Sequence, residues 1–359
     1  MAPAWSNEFS IAKNSTVIGQ NYGYPSATTQ QGPTPIGQLD IVLETAFFAK
    51  NLELIDLSDA TGIVGETLIG SLLPIRGRYR AHRDLTIELG GVFGQNFGDR
   101  DSLDVVEPLA RLVYEPQPGL FVMGGTLMPT HWIHDALHDD VQVYRTNTEQ
   151  GFQSRIDRDS FKHDTWINWC VREHDNAAEE FEVGSASQLR FCNQALWVDG
   201  QLFFAHAGGQ KNNTDRVENN RTLMTGVSYG IPGQAIQQTI REIRLGIHAL
   251  HSYDELSNPK TGHGVEYSVR CDSYPRENLL LRLFGSHFTG SDYSSWRGDP
   301  LYQIDQYSQI GLKSLYAHAS GFSLETGIVG QYAENLFNYT FMVNFIWGQA
   351  FRFQGLTPR

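Results

Sequence analysis

Three histidines lie among aspartates in the stretch THWIHDALHDD. His131, His134 and His138 are spaced i, i+3 and i+7, so on a short helix their imidazoles would share one face. Imidazole and carboxylate together suit Zn²⁺ or a similar ion. We expect no cofactor, and these three histidines are the candidate ligands should a metal bind. The simpler interpretation is a polar loop helix folded over a pore mouth or into its lumen.

A row of arginines is the second feature whose spacing has chemical meaning. In SLLPIRGRYRAH, Arg76, Arg78 and Arg80 occupy consecutive positions on one strand face, with Ile75 and Tyr79 on the other. Cations about 7 Å apart repel one another unless water or carboxylates screen them. Facing carboxylates across water, this row would produce a transverse field that filters ions. Alternatively, the arginines form structural ion pairs in a lumen filled by side chains.

Alternating patterns predict the strands that would position these residues. In NYTFMVNFIWGQAFRF, residues 338–353, aromatic residues recur on one face and mixed, largely polar residues on the other. The segment AIQQTIREIRLGIHAL fits a helix or a strand, and the surrounding strand patterns favour a strand. Further charged residues that lie opposite an apolar or aromatic row are Glu88, Glu182, Arg190, Glu242, Arg244, Arg282, Glu325 and Arg352.

Long strands with an apolar, aromatic face opposite a charged face predict a membrane fold, in which the apolar face points outward, the inverse of a soluble β-sandwich. A tilted strand spans a bilayer with about 9 to 11 residues, and strands of a soluble sandwich are usually short. Backbone groups in hydrocarbon have no water to bond, so an all-strand protein must close into a barrel that is apolar outside and polar inside. We therefore predict an all-β fold, a closed antiparallel transmembrane β-barrel of roughly 14–16 strands with long extracellular loops.

The barrel is predicted to occupy residues 39–353, between an extended N-terminal segment, 1–38, and a C-terminal tail, 354–359. Residues 129–160 are expected to form one of the long polar loops. The Arg76, Arg78 and Arg80 row and the charged residues opposite apolar rows are then predicted to line the pore.

Composition narrows the function classes. The formal charge of −13 argues against a nucleic-acid partner, and the absence of a long apolar run excludes a transmembrane helix. The start MAPAWSNEFS lacks the basic and apolar regions of a signal peptide, so we expect a mature form with an added Met. No GxSxG or metal-hydrolase motif is present, and nothing distinguishes His206, His248 or His287 as a base. We therefore expect no enzymatic activity.

The chain resembles Gram-negative outer-membrane β-barrels of the porin-like kind. The resemblance covers about residues 39–353 and is clearest in the last strand, because such barrels usually end in an alternating aromatic strand. The tail QGLTPR departs from that pattern, since these strands commonly finish at the aromatic residue. The aromatic residues that carry the resemblance are Tyr339, Phe341, Phe345, Trp347, Phe351 and Phe353.

The resemblance implies a bacterial outer-membrane protein that passes small hydrophilic solutes or ions. Its implied partners are outer-membrane lipid, lipopolysaccharide, the barrel-assembly machinery and other envelope proteins. One alternative is a plugged barrel that serves as a structural or export-complex subunit of the envelope. A second is a soluble β-rich carbohydrate-binding protein, in which Trp166, Trp169 and Trp197 would stack on sugars.

Overall fold

The computed structural model describes the chain from residue 36 to residue 353 with gaps. The described ranges are 36–53, 65–98, 105–127, 130–140, 142, 148–173, 177–192, 195–209, 217–233, 239–255, 259–274, 276, 278–318 and 321–353. Residues 1–35 of the predicted N-terminal segment and the predicted tail, 354–359, lie outside the described residues.

The described residues form sixteen strands, and their order in the sheet follows their order in the chain. The strands are β1 (Leu39–Glu53), β2 (Glu66–His82), β3 (Leu85–Asn96), β4 (Val105–Gln117), β5 (Leu120–Thr126), β6 (Gln150–Asp157), β7 (Phe161–Val171), β8 (Glu180–Phe191), β9 (Leu196–Ala207), β10 (Glu218–Pro232), β11 (Ile240–Asp254), β12 (Lys260–Ser273), β13 (Leu279–Ser291), β14 (Gln306–His318), β15 (Phe322–Ala333) and β16 (Leu336–Phe353).

The sheet closes on itself where β1 pairs antiparallel with β16, in a register that places Leu39 opposite Phe353. Closure leaves no unpaired edge, which is the condition for an all-strand protein in hydrocarbon. The predicted all-β, closed antiparallel barrel is confirmed. The segment around residues 240–254 is a strand, as its surroundings indicated.

The outward face is apolar and the inward face is mixed. On β16, Phe337, Phe341 and Phe351 are exposed, whereas Asn338 and Asn344, on the alternate face, are buried. Exposed large apolar residues follow the same alternation on the other strands, for example on β13 and β14. Because lipid, not water, covers this face, the pattern minimises the cost of inserting the barrel.

The two ends of the barrel differ. Both chain ends of the sheet, at Leu39 and Phe353, lie at one end, which we call the terminal end. Connections there include the tight turns between β2 and β3 and between β4 and β5. The other end, the loop end, carries the long connections after β1, β5 and β13. Outer-membrane barrels place short turns in the periplasm and long loops outside the cell, so in such a membrane we expect the loop end to be extracellular.

Two of these connections fold into the barrel. A 16-stranded barrel is wide enough for an aqueous channel, so wall side chains alone do not fill it. Residues 130–140, from the β5–β6 connection, and residues 292–305, from the β13–β14 connection, supply buried Ile133, Leu137, Tyr293 and Leu301 to one apolar cluster. We call these two segments together the plug. The second contains a short 3-10 helix, Pro300–Gln303.

The strands of the barrel wall are short where the first plug segment leaves it. Strands β5 and β6 have only 7 and 8 residues, so the connection between them starts part-way down the barrel. Strand β6 lies inside the predicted loop 129–160, and that part of the loop prediction is wrong. The outward positions of β6 are Phe152, Ser154 and Ile156, so a polar serine interrupts the apolar row that marks a strand.

In the part of the chain that the structure describes, no helix is long and apolar enough to cross a bilayer.

Candidate functional site

The arginine row lies at the terminal half of β2 and is largely neutralised. Arg76 Nη1 lies 2.5 Å from Glu44 Oε2, and Arg78 Nε lies 2.8 Å from Glu88 Oε1. Glu88 Oε2 also contacts Arg76 Nε at 3.2 Å and Arg111 Nη2 at 2.5 Å. One carboxylate therefore joins three guanidinium groups; the Arg76, Arg78, Glu44 and Glu88 side chains are buried and that of Arg111 is 10% exposed.

Arg80, the third member of the row, stands apart from this network. Its guanidinium donates to the carbonyl oxygen of Arg83 at the β2–β3 turn. The row therefore supplies two inward arginines to the ion-pair network and one that holds the turn.

Most of the other predicted pore-lining residues belong to the same charged zone around the inner wall. Arg282 pairs with Asp272 at 2.7 Å, Lys313 with Glu325 at 3.5 Å, and Arg352 with Asp40 at 3.7 Å. Arg244 pairs with Glu242 at 2.5 Å. Positive and negative groups alternate in this zone, which compensates the charge within the wall.

Two of the three predicted sugar-stacking tryptophans stack on charged groups instead. Trp197 is buried between two guanidinium groups, with Arg244 Cζ 3.4 Å and Arg190 Cζ 4.0 Å from its ring centroid. Trp166 is buried beneath a plug histidine, and Trp169 is exposed on the outside of the barrel. The outer-membrane barrel makes the soluble carbohydrate-binding alternative wrong.

The remaining predicted pore-lining residue, Glu182, contacts the plug. Arg297 of the second plug segment donates to Glu182 on β8. Arg155 on β6 donates to the carbonyl of Thr130, where the first segment enters the lumen. Trp132 packs beneath the same guanidinium, which lies 4.7 Å from its centroid. Charged wall residues thus anchor both plug segments.

The three plug histidines lie around turns rather than along one helix face. The rings of His131 and His138 remain neighbours, with centroids 6.2 Å apart, whereas His134 is directed elsewhere. The His131 ring stacks on Trp166 with centroids 3.5 Å apart, and its Nε2 lies 2.6 Å from Glu149 Oε2. Its Nδ1 lies 3.3 Å from Asp164 Oδ2. Burial alone would lower the pKa of His131, but Glu149 and Asp164 outweigh it and raise that pKa to about 9. His131 is therefore an imidazolium that fastens the plug to β6 and β7.

His138 lies in an apolar setting. Its ring contacts Phe203 and Trp166, with centroids 5.3 Å and 6.4 Å away. Burial lowers the pKa of His138 to about 4, so the ring is neutral at physiological pH. The two histidines thus pack in opposite protonation states.

These two pKa shifts predict a pH window for plug docking. The His131 contribution is complete below its ordinary pKa of 6.5 and is lost as pH rises through about 9. The His138 contribution is complete above 6.5 and is lost as pH falls towards about 4. Hydrogen-exchange protection factors for 130–140, which correct for intrinsic exchange, should therefore be highest near pH 6.5 and should fall both towards pH 9 and towards pH 4. His131→Asn should remove the alkaline decline, and protection that stays flat with pH would contradict the assignment.

His134 points towards a different part of the wall. Its Nε2 lies 3.3 Å from Glu266 Oε1 on β12, and Glu266 Oε1 lies 3.8 Å from Nδ1 of His248 on β11. The Tyr302 hydroxyl, from the second plug segment, donates to the other Glu266 oxygen. We call His134, His248, Glu266 and Tyr302 the luminal cluster. All four side chains are buried, and both plug segments and two strands contribute to it.

Hydrogen bonds define the tautomer of His134 in the luminal cluster. The Ala136 N–H donates to His134 Nδ1 at 3.1 Å, which places the imidazole proton on Nε2, where it can be donated to Glu266. Nδ1 of His248 is buried and makes no hydrogen bond in the described structure. Glu266 therefore accepts two hydrogen bonds and faces one imidazole nitrogen that is free to take a proton.

Two glycines make room for the His248 ring, Gly226 on the neighbouring strand β10 and Gly246 on β11 itself. A Cβ at Gly226 would lie 2.0 Å from His248 Cδ2, so any other residue there would displace the imidazole. A Cβ at Gly246 would lie 3.1 Å from His248 Cε1, 3.1 Å from Ser228 Oγ and 2.6 Å from Ser268 Oγ. Two hydroxyls and the imidazole edge thus surround one point on the inner wall.

A cavity lies between the plug and the wall strands β1, β2 and β13 to β16. Leu68, Phe284 and Met342 on the barrel wall line it, as do plug carboxylates. Lys50 Nζ lies 2.6 Å from Asp140 Oδ1 and 3.9 Å from Asp139 Oδ1. Burial raises the pKa of Asp139, whereas Lys50 outweighs burial and lowers that of Asp140. The cavity therefore has an apolar wall and an ionic wall.

Sequence reasoning did not assemble the luminal cluster. It named His134 beside the wrong neighbours, and it did not distinguish His248 from His206 and His287. The structure shows the difference, because His206 bonds Asn219 Oδ1 at 2.8 Å and His287 bonds Ser308 Oγ at 2.8 Å. The signals present in the sequence were the inward position of His248 and the glycines beside it.

Known structures resemble the barrel. A loop-deletion mutant of OmpT, an outer membrane protein of Vibrio cholerae, superposes with a TM-score of 0.52 at 11% identity, covering 86% of this chain and 98% of that one. OmpT expressed in the outer membrane of Vibrio cholerae gives a TM-score of 0.51 at 11% identity, covering 89% and 100%. An anion-selective porin from Comamonas acidovorans gives 0.49 at 8% identity, covering 86% and 98%. At this identity the likeness shows the fold alone, a porin-like barrel of the bacterial outer membrane.

A sequence-family model described as Lipid A 3′-O-deacylase-type matches residues 30–342. A search of curated proteins found no match. The family match contradicts the expectation of no enzymatic activity, which is therefore wrong. That expectation depended on contiguous motifs, whereas the luminal cluster is drawn from distant segments of the chain.

Proposed function

Because the chain belongs to the lipid A 3′-O-deacylase-type family, we propose that it is an outer-membrane hydrolase that cleaves ester-linked acyl chains from lipid A-type glycolipids. Its reaction centre is the luminal cluster. The observation that carries this assignment is the buried Glu266 carboxylate, which faces the unpartnered Nδ1 of His248 while Tyr302 and His134 fix its position.

Ester hydrolysis needs a group that takes a proton from water and donors that stabilise the oxyanion. His248 Nδ1 can accept that proton and return it to the sugar oxygen when the acyl C–O bond breaks, and the neighbouring Glu266 carboxylate stabilises the imidazolium that forms in between. The Ser228 and Ser268 hydroxyls, beside the imidazole edge, can donate to the oxyanion. Burial strengthens each of these interactions because water does not screen them.

The substrate enters from the extracellular side. Lipid A-type glycolipid lies in the outer leaflet, around the loop end of the barrel. The strands β5 and β6 are short there, where the first plug segment leaves the wall. The luminal cluster is enclosed, so the plug has to move aside to admit an ester.

The test uses the whole chain refolded into vesicles that contain lipid A. Mass spectrometry should show loss of ester-linked acyl chains from the glycolipid and an equal amount of free fatty acid. Amide-linked chains should remain, because an ester is the better acyl donor. No release over many hours from protein shown to be folded and inserted would remove the proposal.

A second candidate function is passage of small hydrophilic solutes or ions, supported by the cavity beside the plug. If the cavity continues through the charged zone, the inserted protein should conduct in a planar bilayer. Replacing residues 131–140 by a short Gly-Ser linker should raise that conductance severalfold, because it removes half of the plug. Wild-type protein that inserts without conducting would end this candidate.

A further inference from the structure

We propose that the luminal cluster binds a divalent transition-metal ion, with zinc the best match, through His134 Nε2, His248 Nδ1 and one oxygen of Glu266. These three ligand atoms lie within 4.8 Å of one another. They come from the plug, β11 and β12. Two imidazoles and one carboxylate are the donor set of many zinc sites with an open fourth position.

The spacing of the three atoms is close to that of a coordinated set. Zinc bonds of about 2.0–2.2 Å place tetrahedral ligands roughly 3.4 Å apart. His134 Nε2 is 3.3 Å and His248 Nδ1 is 3.8 Å from Glu266 Oε1. The third separation, between the two imidazole nitrogens, is at most 4.8 Å, so the His248 ring would have to turn towards His134 to close the set around an ion.

The second observation is the state of His248. Its Nδ1 is buried without a hydrogen-bond partner, and its side chain is only 7% exposed. A buried polar atom without a partner is destabilising, and an ion at this point would remove that cost. The Tyr302 hydroxyl orients the ligating carboxylate from behind, as outer-shell donors do in metal sites.

Metal binding would also change the plug. Without an ion, His134 Nδ1 accepts a hydrogen bond from the Ala136 N–H. Coordination through Nε2 would move the imidazole proton to Nδ1, which could then no longer accept. That hydrogen bond must open, so occupancy of the site and the conformation of the 134–138 turn are linked. With an ion bound, His248 Nδ1 would be a ligand and could not take a proton, so in the proposed hydrolase the open coordination position would hold and activate the attacking water in its place. The binding itself does not depend on that reaction.

The experiment titrates the refolded full-length protein with Co²⁺ alone and then displaces it with Zn²⁺. Wild-type protein should bind one ion per chain and show the visible absorption of a tetrahedral cobalt site. His248→Ala and Glu266→Gln should each weaken binding at least about 10-fold. Matched controls are His251→Ala and His263→Ala, which remove exposed outward histidines from the same two strands. Heat-modifiable migration on a gel reports that each variant is folded.

Equal binding by His248→Ala and wild type would overturn the inference, as would loss of binding in the outward controls. The failures of the two proposals are separable. Cobalt binding without acyl release leaves the metal site standing and removes the hydrolase. Acyl release by metal-free protein that also binds no cobalt would remove the metal site and leave the hydrolase standing.

Discussion

Glu266→Gln should reduce acyl release about 100-fold or more while leaving the barrel folded. The substitution keeps the size of the side chain and an oxygen that accepts from His134. The Tyr302 hydroxyl can rotate to accept from the new amide. What is lost is the negative charge beside His248, which stabilises the protonated imidazole or, with an ion bound, neutralises the metal. The measurement is the initial rate of fatty-acid release from lipid A vesicles at several substrate concentrations.

The matched control is Glu242→Gln, which removes an inward glutamate from β11, a wall strand that also contributes to the luminal cluster. Glu242 pairs with Arg244 in the charged zone and does not contact His134, His248 or Tyr302. It should keep most of the activity. Near-wild-type rates in folded Glu266→Gln protein would exclude the luminal cluster as the reaction centre, whatever the activity of the control.

Glu88→Gln should destabilise the barrel by about 3–5 kcal/mol, the largest stability effect that we expect from one substitution. Glu88 contacts the guanidinium groups of Arg76, Arg78 and Arg111. Without its charge, the group loses the one carboxylate that joins all three guanidinium groups, while Glu44 still contacts Arg76. Three largely buried cations would then repel one another where little water reaches them. Urea unfolding of the refolded protein in detergent measures the change.

A double-mutant cycle distinguishes this cause from a general loss of packing. Glu88→Gln combined with Arg111→Gln removes one positive charge with the negative one, so the double variant should be less destabilised than the two single variants added together. An exposed glutamate on β8, Glu180→Gln, should change stability by about 0.5 kcal/mol or less. Strict additivity of Glu88 and Arg111 would show that the ion pair does not stabilise the wall.

The alternation of side chains was enough to predict the class of fold. Phe341 and Phe351 face outward and Asn338 and Asn344 face inward, as a period of two requires in any strand of a membrane barrel. That signal is local, so it can be recognised without knowing which strands pair with each other. It failed at β6, where Ser154 interrupts the outward row between Phe152 and Ile156.

The pairing of the arginines needed more than the local pattern. Alternation placed Arg76 and Arg78 on one face of β2, but it could not supply Glu44 from β1 or Glu88 from β3 as partners. Those partners follow from strand register, which is set when the sheet closes. Arg80 fits the same alternation and yet donates to the backbone of the β2–β3 turn, because the register shifts beside it.

The sequence by itself determined an apolar exterior, a charged interior and the membrane that such a surface requires, because these depend only on which neighbours alternate. The tertiary structure decided the site. Glu266 lies 132 positions from His134, and Tyr302 comes from yet another segment, so their meeting depends on closure of sixteen strands and on two loops turning inward. No periodic pattern in the sequence indicates such contacts, because the conformation of the plug depends on the wall residues that it packs against.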